Sequence, residues 1–438
     1  MRGNTEMSDL RVNWHPCSQM KDYEDFPPLI VNKANGCYIE MADGSRVIDA
    51  VSSWWCKSLG HNHPIIKQAV LKQVEKFEHV IFANTTHQVI IDLSNQLLSL
   101  FPWLGKAFYV GDGSCAVEVA MKMSLQIRAI AGEPERNQFI ALKNGYHGET
   151  MAALSLSDVS LYRAPYSAFL FHPKFIEVPY VLNRENLLWS DASVIWRETE
   201  KQLEAYKGVA TAIFFEPIVQ GAGGMKIYSK DFLYRLVAWA KKNNIHVIAD
   251  EIMTGMGRTG KMLACEHAKV EPDIVCLSKG LTSGWMPFSA VLTTNKIYDF
   301  FYDDYNTQKA FLHSHTYSGH AIGACAALAT VKYICENELC LAAEKLEKKL
   351  LNYMSEIADF TGVLSNVRSI GAMVAADLIP EISQDRLGYQ IFKQAVKLGA
   401  LLRPLGNTLY WLPPLVISND TLEDLCDITL KAIRKTIA

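Results

Sequence analysis

The sequence has no CxxC pair, no apolar run long enough to cross a bilayer, and little net charge. Each absence removes a class of function. Its ten cysteines are scattered from Cys17 to Cys426, with neither zinc-site spacing nor the density of a disulfide framework. That distribution fits a protein with reduced thiols in the cytoplasm. The opening stretch, Met1 to Met20, is polar and shows no signal-like hydrophobic region. A net charge of −3 gives no reason to expect nucleic acid or an anionic membrane as partner. The Gly111-Asp-Gly-Ser-Cys turn is followed by neither GKS nor GKT and is not GxGxxG, so it is neither a Walker loop nor a dinucleotide fingerprint. There is no internal repeat and no low-complexity segment.

What remains is a chain of 438 residues, 49% hydrophobic and 20% charged. Such a chain is globular and too long for one small core. Strand and helix patterns alternate from Lys106 to Thr293, the signature of a mainly parallel sheet with helices on both faces. Residues 155–205 carry no strong pattern until a helix near 195–206. An Ala-rich helix, Ala321 to Cys335, leads into a smaller α+β unit. That unit should contain helices over 341–359, 385–398 and 420–436, with short strands between. The N-terminal arm holds a hairpin around Asp43-Gly44 and is expected to pack with it. The implied division is 1–60 for the arm and part of the small domain, 61–325 for the large domain, and 326–438 for the rest of the small one.

The stretch from Ile245 to Gly280 organises the chain. Two runs rich in Val and Ile read as buried parallel strands. The first closes on Asp250-Glu251, and the second on Ser278-Lys279. Carboxyl ends of strands line the ligand crevice of an open α/β sheet, so the acid and the lysine are candidates for one site. Alone, they could form a structural ion pair. Together with an anion cradle and an aromatic face, they suit pyridoxal phosphate, which needs a lysine for a Schiff base and an acid for its pyridine nitrogen.

The cradle is the turn at Gly113-Ser114, where a strand runs into a helix expected over Ala116–Ala131. Free backbone N–H groups and the positive end of the helix dipole meet there. Ser114 is expected to add a hydroxyl and to cap the helix. The aromatic face is Tyr146, on a loop just after the Gln138–Leu142 strand. Trp54 and Trp55 point in different directions, so at most one need be core, and either could wall a substrate pocket. Two HxH pairs, His61/His63 and His313/His315, open a metal-hydrolase reading, weakened by their separation and turn-like surroundings. A flexible Gly loop is expected beyond Glu216-Pro217.

The order Gly113-Ser114, Tyr146-His147-Gly148, Glu216-Pro217, Asp250-Glu251, Ser278-Lys279-Gly280 resembles that of the class III (ornithine-type) aminotransferases over nearly the whole chain. The resemblance implies fold type I, with a mainly parallel seven-stranded sheet and a smaller α+β domain built from both termini. It implies pyridoxal 5′-phosphate as cofactor and a homodimer with its active site at the interface. Lys279, Asp250 and Tyr146 would be catalytic. Gly113, Ser114, Tyr146, Asp250, Lys279, His315 and Thr316 would bind cofactor, Thr316 from the partner subunit with His315 beside it. Cys17, Trp54, Tyr146, Lys279, Ser314 and Arg403 would meet substrate, Ser314 through its backbone and Arg403 as a carboxylate fork.

Trp14-His-Pro, Ser52-Ser-Trp-Trp, Asn144-Gly-Tyr-His-Gly, Glu216-Pro-Ile-Val-Gln-Gly-Ala-Gly-Gly, Ala264-Cys-Glu-His-Ala and Arg403-Pro narrow the resemblance to members of biotin synthesis. These imply an amino group moved from S-adenosylmethionine to 8-amino-7-oxononanoate. Three positions depart from that pattern: Cys17 replaces a tyrosine, Ser314-His315-Thr316 replaces Gly-Pro-Thr, and Leu405 replaces a phenylalanine. All three fall at the substrate end. A related ω-aminotransferase using lysine, ornithine or 4-aminobutyrate is the neighbouring reading.

Overall fold

The structure is a computed structural model and describes residues 9–379 and 386–438. Its centre is a seven-stranded sheet in the order Lys106–Val110, Ser289–Thr293, Ile274–Leu277, His246–Asp250, Ala210–Phe215, Gln138–Leu142, Lys174–Ile176. All run parallel except Ser289–Thr293, which pairs antiparallel with both neighbours. The central strands are buried on both faces. This explains their unbroken apolar runs, because helices cover each side of the sheet. One face packs on the helix Gly113–Ile130, which buries Val117, Ala120 and Ile127 against it. The other face joins the main core through the helices Lys230–Lys242 and Ala321–Glu336.

The strand Lys174–Ile176 lies in the stretch that showed no pattern. Three residues are too few to display a period. Likewise, the Gly loop beyond Glu216-Pro217 is not a loose excursion. Val219–Gln220 pairs antiparallel with Lys226–Tyr228, which also pairs with Tyr180–Val181. The segment Ile218–Gly221 is buried.

Chain ends meet in two further sheets. Val31–Asn35, Tyr38–Met41 and Arg46–Asp49 form an antiparallel set around the expected turn. Ala400–Leu401 then adds to it in parallel, Ala400 opposite Ile48. Leu364–Ser369, Val374–Leu378 and Thr408–Trp411 form the other. Helices Leu339–Thr361, Leu387–Leu398 and Asn419–Ile437 accompany them. Position 385, where the second of these was expected to start, lies outside the described residues. Among the described residues, no helix is long and apolar enough to cross a membrane.

Candidate active site

Two neighbouring parallel strands carry the central pair. Asp250 stands opposite Cys276 in their register, so the aspartate closes one strand as the other approaches its own end. Lys279 starts a short 3-10 turn just past Leu277, with its backbone held at φ 43°. Both side chains line one cavity of about 1760 Å³. The lysine Nζ lies 4.3 Å from the centre of the Trp55 ring. Burial lowers the Lys279 pKa, against the opposing charges of Asp250, Glu216 and Cys56. A depressed lysine is a better nucleophile and proton carrier, because more of it is neutral.

Asp250 is held from two sides. Its Oδ2 lies 2.8 Å from His147 Nδ1, and its Oδ1 accepts the Ile252 N–H at 3.1 Å. His147 is itself buried, and its backbone N–H donates to Ser157 Oγ at 2.9 Å. A third strand also ends in an acid. Glu216 follows Phe215 and accepts the N–H groups of Tyr146 and Gly221, each at 2.9 Å. Burial pushes its carboxyl up to about 7; His147 opposes this and Asp250 adds to it. Glu216 therefore ties the Tyr146 loop to the Gly221 turn, on the floor of the cavity.

The anion cradle forms as the turn suggested, with one correction. The helix starts at Gly113, not Ala116, and its cap is Asp112. Asp112 Oδ1 accepts both the Cys115 N–H and the Ser114 hydroxyl at 3.0 Å. An Asp in extended backbone is a better cap than a serine already inside the first turn. Ser114 is thus left at the helix mouth, lining the cavity with Gly113. A Cβ at Gly113 would come within 2.9 Å of Ile252 Cδ1 and 3.1 Å of its Cγ2, so a larger residue here would have to push Ile252 back. A depressed lysine, a braced buried acid and an open helix N-terminus in one cavity suit pyridoxal phosphate at three points.

The tryptophan pair is resolved by backbone. Ser52, Ser53, Trp54 and Trp55 all have positive φ, from 43° to 73°. Left-handed residues cost roughly 1–2 kcal/mol each, so this turn must be held. Asp49 accepts the N–H groups of Val51 and Ser53 and the Ser53 hydroxyl, while Ser52 Oγ donates to Leu412 O at 2.7 Å. The turn sends Trp55 inward, 4% exposed, with Nε1 donating to Tyr410 at 2.9 Å. Trp54 stays 44% exposed and faces the cavity, with the Arg403 guanidinium 4.4 Å from its ring centre.

Arg403 also donates to the Cys17 carbonyl at 3.4 Å. Tyr146 lines the same cavity, and its hydroxyl donates to Glu149 at 3.0 Å. Cys17, Trp54, Gly113, Ser114, Tyr146, Asp250, Lys279 and Arg403 are therefore brought together. Ser314 and Thr316 are exposed and do not line the cavity of their own chain. His315 lies behind the cradle, its Nδ1 4.0 Å from where a Cβ on Gly111 would sit. The histidine pairs have separate occupations: His61 bonds Asp49 at 2.8 Å, His63 meets the Tyr333 ring, and His313 lies 2.8 Å from Lys122.

Sequence reasoning gave no role to Asp112, His147, Glu216, Glu149 or Tyr162, all of which line the cavity. Three of them had a signal. Asp112 precedes a helix in a capping pattern, Glu216 ends a strand as Asp250 does, and His147 follows the aromatic already chosen. Tyr162 sits in the patternless stretch and had none.

Residues 19–433 match the model of the family described as aminotransferase class-III. The chain is 38% identical over 426 residues to the adenosylmethionine-8-amino-7-oxononanoate aminotransferase of Helicobacter pylori, covering 96% of this chain and 95% of the relative. Among solved structures, the enzyme of that same name from Methanocaldococcus jannaschii superposes with a TM-score of 0.91 at 31% identity, covering 99% of each chain. The omega transaminase of Pseudomonas jessenii in complex with PMP superposes with a TM-score of 0.90 at 25% identity, covering 98% of each.

Proposed function

The chain belongs to the class-III aminotransferases, and from that premise we propose that it transfers an amino group from S-adenosylmethionine to 8-amino-7-oxononanoate, giving 7,8-diaminononanoate for biotin synthesis. The relatives that carry this name match it over almost their whole length. The observation that carries the chemistry is the delivery of Asp250 and Lys279, by adjacent strands, to one cavity that also opens on a helix N-terminus.

Pyridoxal phosphate supplies an electron sink for the carbanion at the reacting carbon. The protein's part is attachment, orientation and proton movement. Lys279 would hold the cofactor through its ε-nitrogen and, when freed, carry the proton to and from the substrate carbon. Asp250, oriented by His147, would meet the ring nitrogen. Gly113 and Ser114 would hold the phosphate with backbone N–H groups and a hydroxyl. Thr316 of the partner subunit would complete that cradle, with His315 beside it. Tyr146 would pack against the ring. Trp54, Cys17 and the backbone of Ser314 of the partner subunit would bound the substrate space, and Arg403 would take a carboxylate.

This assignment goes with a cytoplasmic homodimer whose two active sites lie at the interface. The arm 1–60 and segment 326–438 form the small domain around the large one, 61–325. The exposure of Ser314 and Thr316 supports the dimer, since residues meant for a neighbour's site have no use in their own cavity. Donor and acceptor share one pocket, so ping-pong kinetics are expected.

The test is a half-reaction. Purified yellow enzyme is mixed with S-adenosylmethionine or with lysine, no acceptor present. Loss of the visible cofactor absorbance with S-adenosylmethionine alone is the expected result. Loss with lysine alone would move the protein to the neighbouring ω-aminotransferase reading.

A further inference from the structure

Arg403 lines the cavity, and among the described residues no carboxylate pairs with it. Among the described residues its contacts are the Trp54 ring and a long bond to the Cys17 carbonyl. A guanidinium so placed is open to an anion, but its fork contributes donors from one side only. A second donor comes from the short helix Ser160–Arg163. Tyr162 lines the cavity, its ring edge-on to Tyr146 with centroids 6.0 Å apart. Its hydroxyl lies 3.4 Å from Cys17 Sγ, its one hydrogen-bond partner among the described residues. Cys17 thus touches both groups, Arg403 through its carbonyl and Tyr162 through its thiol.

A thiol is a weak partner for a phenol, so this hydroxyl gives up little when a ligand arrives. The Tyr146 hydroxyl, in contrast, is already committed to Glu149. Burial and the neighbouring thiol raise the Tyr162 pKa, with Arg403 opposing. The phenol is therefore a neutral donor throughout the working range. A carboxylate has two oxygens to satisfy, and a guanidinium with a phenol beside it satisfies both.

We propose that Tyr162 is a specificity-determining residue whose hydroxyl turns from Cys17 to donate a hydrogen bond to the substrate carboxylate held by Arg403. This rests on the function proposed above and adds a donor from a segment that carries no family motif. The small side chain of Cys17 is what makes room for it. A bulky residue at 17 would occupy the space between the arm and the Ser160–Arg163 helix.

The test compares wild type with Tyr162→Phe on 8-amino-7-oxononanoate and on its methyl ester, which lacks the charge. The variant should raise KM for the free acid about tenfold, the size expected for one hydrogen bond to a charged group. Its kcat should stay close to wild type. For the ester, KM should change by less than about twofold, because the bond removed is weak there already. An unchanged KM for the acid, or an equal rise for acid and ester, overturns the proposal while leaving the aminotransferase reading intact. Absence of wild-type turnover with 8-amino-7-oxononanoate overturns both.

Discussion

The two ends of the cavity are built differently. At the cofactor end, three groups are braced by a second one: Asp250, at a strand end, by His147; Ser114, at a helix start, by Asp112; and the Tyr146 loop by Glu216. At the substrate end, Cys17, Trp54, Tyr162 and Arg403 come from an arm, a strained turn, a four-residue helix and a strand-linking segment. Their mutual contacts are long or weak, 3.4 Å in two cases. Chemistry common to a family can be held by the rigid end. Substrate choice can drift at the other end without disturbing it: of the three departures from the family pattern, Cys17 and Leu405 line the cavity, while Ser314-His315-Thr316 does not line the cavity of its own chain.

The contrast can be broken most severely at Lys279. Lys279→Ala should lower kcat by about four orders of magnitude or more, since the attachment and the proton carrier vanish together. The cofactor should still bind, and single-turnover kinetics with spectral titration would separate the two effects. Asp250→Ala should follow, with a loss of about 10²–10³ in kcat, the range for removing one fixed electrostatic partner. Arg403→Ala should instead raise KM by about ten- to a hundredfold with a smaller change in kcat, because a carboxylate anchor serves binding. Steady-state kinetics on all three would reverse the comparison if Arg403 affected kcat more than Asp250.

A smaller effect probes the rigidity itself. Glu251 is buried and accepts from Thr254, Ala264 and Cys265. Burial pushes its pKa from 4.5 up to about 7, with Thr254 and the two N–H groups opposing. A raised folded-state value means the folded form holds the proton more tightly. The associated stability is fully present below pH 4.5 and lost as pH rises through about 7. Glu251→Gln cannot titrate. The Tm of wild type minus that of the variant should therefore fall across this window in melts of the cofactor-free protein. A constant difference would show that Glu251 is not held as the geometry implies.

How much of this was legible follows the same division. The lysine and aspartate strands were readable because buried parallel strands are unbroken apolar runs, and a charge at their end is conspicuous. The cradle was readable too, though Asp112 rather than Ser114 caps the helix, since both residues suit that position and only backbone geometry chooses. The direction of the two tryptophans was not readable. Four consecutive left-handed residues leave no composition signal when none is glycine. Tyr162 was invisible for another reason: it lines the cavity beside Cys17 of the arm, a contact between residues 145 positions apart that no local pattern encodes. The Lys174–Ile176 edge strand was lost for want of length.

The central claim is that Lys279 is the nitrogen that holds the cofactor opposite Asp250. Borohydride reduction of the purified yellow enzyme, followed by peptide mass spectrometry, tests it directly. The peptide containing Ser278-Lys279-Gly280 should carry the pyridoxyl phosphate mass on the lysine. Stable labelling of any other lysine, with Lys279 unmodified, would contradict the account.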